Sequence, residues 1–213
     1  MADEGMARMV MTRYKALVNR VLEPCAVSLA RAGVSPTVLT LLGPFLSALI
    51  CMTFVRTRAV LPFCIAITAV SCLDGLDGAV ARVSGRVTKF GAYLDAVCDR
   101  YVEAMTVLAV AFVTGYWVLS MAVLTGSLLV SYTKARAAME VPISNQEWPD
   151  LMERTERALL FLIGLTASQL VPWKPWGRDL FWWTLVLLLV LSHGTVIQRM
   201  WRARRFILER SSQ

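Results

Sequence analysis

The chain has 213 residues, 57% of them hydrophobic and only 17% charged, with a formal net charge of +7. This composition excludes an ordinary soluble domain and describes a single polytopic membrane domain over residues 1–213. The basic residues gather at helix ends instead of forming a stripe with aromatic platforms, which excludes nucleic acid as a partner and points to anionic lipid headgroups.

The first fifteen residues carry charges throughout and lack the apolar core and cleavage site of a signal peptide, so no processing is expected. From about residue 8 to residue 32, Arg13, Lys15, Arg20 and Arg31 alternate with apolar side chains. That pattern predicts an amphipathic helix on the membrane surface, within a juxtamembrane segment 1–33. A spanning helix needs roughly 20 largely apolar residues. Six stretches qualify, at 36–55, 59–80, 90–114, 117–138, 155–172 and 179–200, making a six-helix bundle over 36–200 followed by a basic tail at 201–213. The expected fold is therefore all-α and integral to the membrane. The connections at 56–58, 115–117 and 172–178 carry few basic residues, so the opposite side, with both termini, is expected to be cytoplasmic. Trp173, Trp176, Trp182 and Trp183 read as an interfacial aromatic belt on the outer side. The cysteines Cys25, Cys51, Cys64, Cys72 and Cys98 have no paired or metal-type spacing and read as packing residues.

Between the second and third apolar stretches runs DGLDGAVARVSGRVTKFGAYLDAVCD, from Asp74 to Asp99. Asp74 and Asp77 stand one helical turn apart, as do Asp95 and Asp99, so each pair projects from one face. Two facing helices would bring four carboxylates to one place, where like charges need compensation. Hard oxygen donors without histidine or cysteine favour magnesium or manganese, completed by a phosphate-bearing substrate. Gly75, Gly78 and Gly91 leave space for a bulky ligand or a second backbone.

Asp74, Asp77-Gly78, Ala81-Arg82, Gly91, Asp95 and Asp99 reproduce D-x2-D-G-x2-A-R-x8-G-x3-D-x3-D, eight fixed residues over 26 positions. In this the chain resembles the CDP-alcohol phosphotransferases. The resemblance implies a homodimeric six-helix membrane enzyme that displaces CMP from a CDP-linked lipid with an alcohol acceptor. It implies two Mg2+ or Mn2+ ions held by Asp74, Asp77, Asp95 and Asp99, with Asp99 also the base for the acceptor hydroxyl. It further implies contacts to the CDP donor from Arg82, Gly78, Thr88 and Asp77, and from Thr40 within SPTVLT. Thr37 departs from the asparagine or aspartate of the family's Ser-Pro-Asn/Asp sequence, and is open between a nucleotide contact and a helix cap.

For the acceptor, SYTKARAAME, ERTER and TVIQR resemble the branch that uses inositol phosphate, the phosphatidylinositol phosphate and archaetidylinositol phosphate synthases. A phosphorylated polyol brings about two negative charges, which Lys134, Arg154 and Arg199 could bind by charge-assisted hydrogen bonds. Arg136 and Arg157 are open between that role and helical pairing with Glu140 and Glu153. The loop VPISNQEWPDLM is bulkier and more acidic than the glycine-rich stretch of those synthases. Other readings remain: the same chemistry with glycerol 3-phosphate or serine, a membrane prenyltransferase releasing pyrophosphate, or a cation carrier using its intramembrane acids.

Overall fold

A computed structural model describes residues 23–140, 152 and 154–211, apart from the side chains of Asp74, Arg210 and Ser211. The described residues are all-helical and contain no strand. Residues 23–31 form α1. There follow α2 (Pro36–Thr57), α3 (Val60–Val83), α4 (Lys89–Thr114), α5 (Trp117–Glu140), α6 (Arg154–Leu170), a 3-10 turn (Pro175–Gly177) and α7 (Leu180–Ser211). Helices thus stand at all six expected stretches, and α7 runs well beyond its expected end. The predicted amphipathic helix falls for the most part outside the described residues.

Four helical stretches are long and apolar enough to cross a membrane: Pro36–Thr57, Val60–Val83, Trp117–Glu140 and Leu180–Glu209. The other two long helices differ for physical reasons. Asp95, Asp99, Arg100 and Glu103 interrupt the apolar run of α4, and α6 has only 17 residues. All five cysteines are free thiols.

The chain divides into two compact units, one comprising residues up to Ile50 with Ile65–Val102, the other Cys51–Cys64 with the chain from Glu103 onward. In the first, Ala26, Ala79 and Val80 form a buried core against which Leu29, Leu39 and Leu76 pack. Small side chains there let the helix backbones approach closely. Gly33, at φ +75°, ends α1 in a Schellman turn in which the Val34 N–H donates to the Leu29 carbonyl at 3.1 Å. Ser35 then takes the position before Pro36, whose fixed φ suits the first residue of α2. Inside α2, Pro44 has no N–H to give the Thr40 carbonyl. The end of α3 repeats the device: Gly85 adopts φ +67° and the Arg86 N–H donates to the Ala81 carbonyl at 2.9 Å.

In the second unit the packing relies on missing side chains. A Cβ at Gly126 would lie 2.7 Å from His193 Nδ1, and one at Gly164 would lie 2.4 Å from both Thr184 Cγ2 and Oγ1. Alanine raises helix propensity by about 1 kcal/mol over glycine. Gly164→Ala is nevertheless expected to destabilise the protein by about 1–3 kcal/mol through overpacking, because Thr184 Cβ is itself only 2.7 Å away and no rotamer change removes it. The thermal midpoint in detergent should fall for Gly164→Ala and recover when Thr184→Ala is added.

On the side of the α4–α5 and α6–α7 connections, the Tyr116 hydroxyl donates to Asp179 Oδ2 at 2.9 Å. Asp179 Oδ1 accepts the Trp182 N–H at 2.8 Å and so caps α7. Desolvation first, then Asp179, raises the Tyr116 pKa above its ordinary 10.0. The folded state therefore holds this proton more tightly than the unfolded state. Stability contributed by Tyr116 is complete below pH 10.0 and declines as the pH rises from there towards the folded value. Thermal midpoints measured from pH 8 upward should show that decline in the native protein and lose it in Tyr116→Phe. The expected tryptophan belt lies nearby, with Trp182 and Trp183 edge to face at 4.8 Å and Trp176 85% exposed.

Candidate active site

A cavity of about 570 Å³ opens in the first unit between the start of α2, the C-terminal part of α3 and the start of α4. Most of the expected donor-site positions line it: Thr40 from α2, Asp77, Gly78 and Arg82 from α3, then Thr88 and Asp95. Gly91 and Thr37 line it as well.

Asp77 is only 5% exposed, and its Oδ2 accepts a hydrogen bond from Thr40 Oγ1 at 2.5 Å. The same hydroxyl lies 3.1 Å from the Pro36 carbonyl. It has one hydrogen, and a carboxylate is the stronger acceptor, so Thr40 serves to fix and partly solvate Asp77. Gly78 has a further role: the Arg82 Nη1 lies 3.4 Å from where its Cβ would be, so the guanidinium folds back over the bare glycine. Thr88 Oγ1 accepts the Gly91 N–H at 2.9 Å and caps α4, which leaves its own hydroxyl hydrogen to another acceptor. Thr37 is not the residue before the helix, a position that Ser35 holds, and it faces the cavity.

Asp99 lies one turn beyond Asp95 on α4, with its side chain 14% exposed and the Arg100 Nη2 3.9 Å from Oδ2. The Asp74 side chain lies outside the described residues, and among those that are described no three His, Cys, Asp or Glu side chains form a metal-binding group. The chemistry of the donor set nonetheless fits a hard divalent cation. The cavity presents Asp77 and Asp95 as buried and half-buried oxygen donors, and neither histidine nor cysteine is in its wall.

In the second unit, Lys134 is half-buried near the end of α5, and Arg154 is half-buried at the start of α6. Arg199 on α7 is 5% exposed and its Nη1 donates to the Val130 carbonyl of α5. Arg136 pairs with Glu140 at 2.6 Å, as its spacing allowed. Arg157 does something the sequence did not suggest. Glu153 lies outside the described residues, and Arg157, 4% exposed, donates from Nε to Ser127 Oγ at 2.8 Å and from Nη1 to the Met152 carbonyl at 3.1 Å. Ser127 in turn donates to Glu103 Oε1, so a buried cation, a hydroxyl and a carboxylate form one chain. Glu103 continues the four-residue spacing of Asp95 and Asp99, the one signal by which it was legible. Arg86 is a second residue missed, since its four-residue spacing from Arg82 is interrupted by Gly85, yet it lines the cavity.

Acids and arginines in one cavity at the polar ends of apolar helices define a membrane protein equipped for a phosphorylated ligand. Residues 33–192 match the model of the CDP-alcohol phosphatidyltransferase family, and the chain belongs to that family. It is 29% identical over 198 residues to the archaetidylinositol phosphate synthase of Pyrococcus horikoshii, covering 92% of this chain and 97% of that one. With the phosphatidylinositol phosphate synthase of Mycobacteroides abscessus it shares 31% identity over 192 residues, covering 87% and 84% of the two chains. Among solved structures it is similar to Mycobacterium tuberculosis phosphatidylinositol phosphate synthase with CDP-DAG bound, at a TM-score of 0.75 and 30% identity, covering 86% of this chain and 94% of that one. The same enzyme in complex with manganese and citrate matches with a TM-score of 0.75 and 29% identity over 85% of this chain and 88% of that one. Family membership sets aside the prenyltransferase and the cation carrier.

Proposed function

We propose that this membrane enzyme transfers a phosphatidyl-type group, carried on diacylglycerol or archaeol, from a CDP-linked lipid to inositol 1-phosphate and releases CMP. The observation that supports this most is the cavity gathering Thr40, Asp77, Gly78, Arg82, Thr88 and Asp95, together with relatives that are inositol phosphate synthases. We place Asp74, Asp77, Asp95 and Asp99 as ligands of two divalent ions, Mg2+ or Mn2+. When bound, such ions neutralise charge on the phosphoryl oxygens and the leaving group.

The chain's own residues do the rest. Arg82 and Arg86 pair with the donor pyrophosphate, Thr40 holds Asp77 in place, and Gly78 keeps the wall open for the nucleotide. Asp99 takes the proton from the inositol hydroxyl, whose oxygen forms a bond to the lipid-bearing phosphorus. The bond from that phosphorus to the bridging oxygen breaks, and CMP leaves. Lys134, Arg154 and Arg199 bind the acceptor's phosphate. A guanidinium has five N–H donors, so the use of one Arg199 nitrogen on Val130 is compatible with that role. The enzyme crosses the membrane six times as a homodimer, its active site and termini cytoplasmic, with an amphipathic N-terminal helix on the surface.

The test is CMP release from CDP-diacylglycerol with magnesium and a panel of inositol 1-phosphate, free inositol, glycerol 3-phosphate and serine. Turnover with inositol 1-phosphate alone is expected. Turnover only with another alcohol would remove the roles of Lys134, Arg154 and Arg199. Arg86→Ala should raise the KM for the CDP-lipid about tenfold with a smaller change in kcat, and an unchanged KM would take Arg86 out of the donor site.

A further inference from the structure

Helix α7 has 32 residues, which at 1.5 Å per residue makes it about 48 Å long, against a hydrocarbon thickness of about 30 Å. Two tryptophans mark where the membrane ends. Trp183 lies in the outer aromatic cluster, and Trp201 stands about 27 Å further along the helix axis with 79% of its surface exposed. Aromatic side chains favour both interfaces, so Trp201 sits at the level of the opposite headgroups and the remaining turns project beyond it.

The buried face of α7, through Phe181, Leu185, Leu188, Ser192 and Thr195, is used for packing. Another face is not. Leu187 (48% exposed), Val190 (63%), Ile197 (62%), Trp201 and Leu208 follow a spacing of three and four residues, and Gly194 falls in the same row with no side chain at all. A cavity of about 740 Å³ lies along this row from Gly194 to Leu208, and Arg202, Arg204 and Arg205 line its far end. The wall itself carries these three guanidinium groups and no carboxylate, so this end of the cavity is positively charged; Arg205 also pairs with Glu209 at 2.8 Å. The row therefore begins apolar within the membrane, is notched at Gly194, meets an indole at the interface and finishes among guanidinium groups.

We propose that this row is a binding site for one anionic phospholipid, distinct from the donor cavity of the first unit. An acyl chain lies along Val190, Gly194 and Ile197, the glycerol region meets Trp201, and the phosphate is held by Arg202, Arg204 and Arg205. The order of the groups along α7 matches the order of the groups in a phospholipid, and the charge at its end is opposite to that of the headgroup. The proposal needs only that α7 crosses the bilayer and is independent of the acceptor.

Native mass spectrometry of the full chain in neutral detergent, with phosphatidylglycerol as the probe, tests it. One tightly retained phosphatidylglycerol is expected, with phosphatidylcholine retained at least about tenfold less. The triple change Arg202→Ala, Arg204→Ala, Arg205→Ala should abolish that preference. Gly194→Leu should weaken retention of both lipids while leaving the arginines in place, so the site can be judged even if the triple variant folds poorly. Undiminished phosphatidylglycerol retention in either folded variant would overturn the site. Competition by glycerol 3-phosphate at equal concentration would reassign the arginines to a soluble phosphate. Efficient disulfide formation between two copies carrying Ile197→Cys in nanodiscs would give the row to a second copy and likewise overturn it.

Discussion

Replacing Asp99 by asparagine is expected to lower CMP release at least about 10³-fold while the purified protein elutes and melts as the native chain does. The two side chains have nearly the same shape, so packing around a residue 14% exposed on α4 is retained. What is lost is the basic lone pair and the negative charge. Without the first, the proposed base is gone and the acceptor hydroxyl keeps its proton at the moment its oxygen attacks phosphorus. Without the second, one of the four proposed oxygen donors to the divalent ions is weakened. Turnover within tenfold of the native enzyme would remove Asp99 as the base. Its replacement by glutamate provides the complementary measurement, because charge returns while the reach is wrong by one methylene. Partial recovery of metal affinity without recovery of kcat would separate the two roles.

A large loss of stability is expected from Arg157→Ala. Arg157 is 4% exposed and is linked through Ser127 to Glu103, and the same guanidinium satisfies the Met152 carbonyl just before α6. Removing the cation takes the donors from the Met152 carbonyl and from Ser127 Oγ, and leaves the hydroxyl–carboxylate pair of Ser127 and Glu103 without the positive charge that ends the chain. Breaking a buried pair from one side in this way costs about 3–5 kcal/mol. For a chain of this size the thermal midpoint should fall by roughly 10 °C. The double replacement Arg157→Leu, Glu103→Leu should recover most of that loss, since two apolar groups need no partners. A midpoint unchanged by Arg157→Ala would show that the chain of bonds contributes nothing to stability.

The extent to which the sequence announces this structure depends on which forces act locally. The helices were legible because apolar runs of that length have few alternatives in a membrane. That Asp77, Arg82 and Asp95 share one cavity was legible because the carboxylates fall three and four residues apart, at spacings that keep each pair on one helical face, on either side of a short turn. Arg86 was not, because its position depends on the left-handed turn at Gly85, which breaks the periodicity that spacing arguments use. The partners of Arg157 were illegible for a related reason. Local spacing could offer only Glu153, which lies outside the described residues, and had no means of pointing to Ser127, thirty residues away in sequence. The length of α7 was underestimated because its last turns, WRARRFILERS, read as a basic tail when weighed by hydropathy. A helix that leaves the bilayer no longer needs apolar residues on every side.

The wall of the donor cavity is drawn wholly from residues between Ser35 and Asp95, within the first of the two units. Lys134, Arg154 and Arg199 belong to the second. On the roles proposed above, the instructions for recognising what leaves and the instructions for recognising what arrives are written on separate lengths of the gene. Mutation can rework one without disturbing the other. A lineage of such enzymes can change the alcohol it consumes by drift in its latter half and keep the same activated lipid throughout. Chimeras that exchange Cys51–Cys64 together with the chain from Glu103 onward would reveal whether that inheritance is as modular as the chain's arrangement makes it.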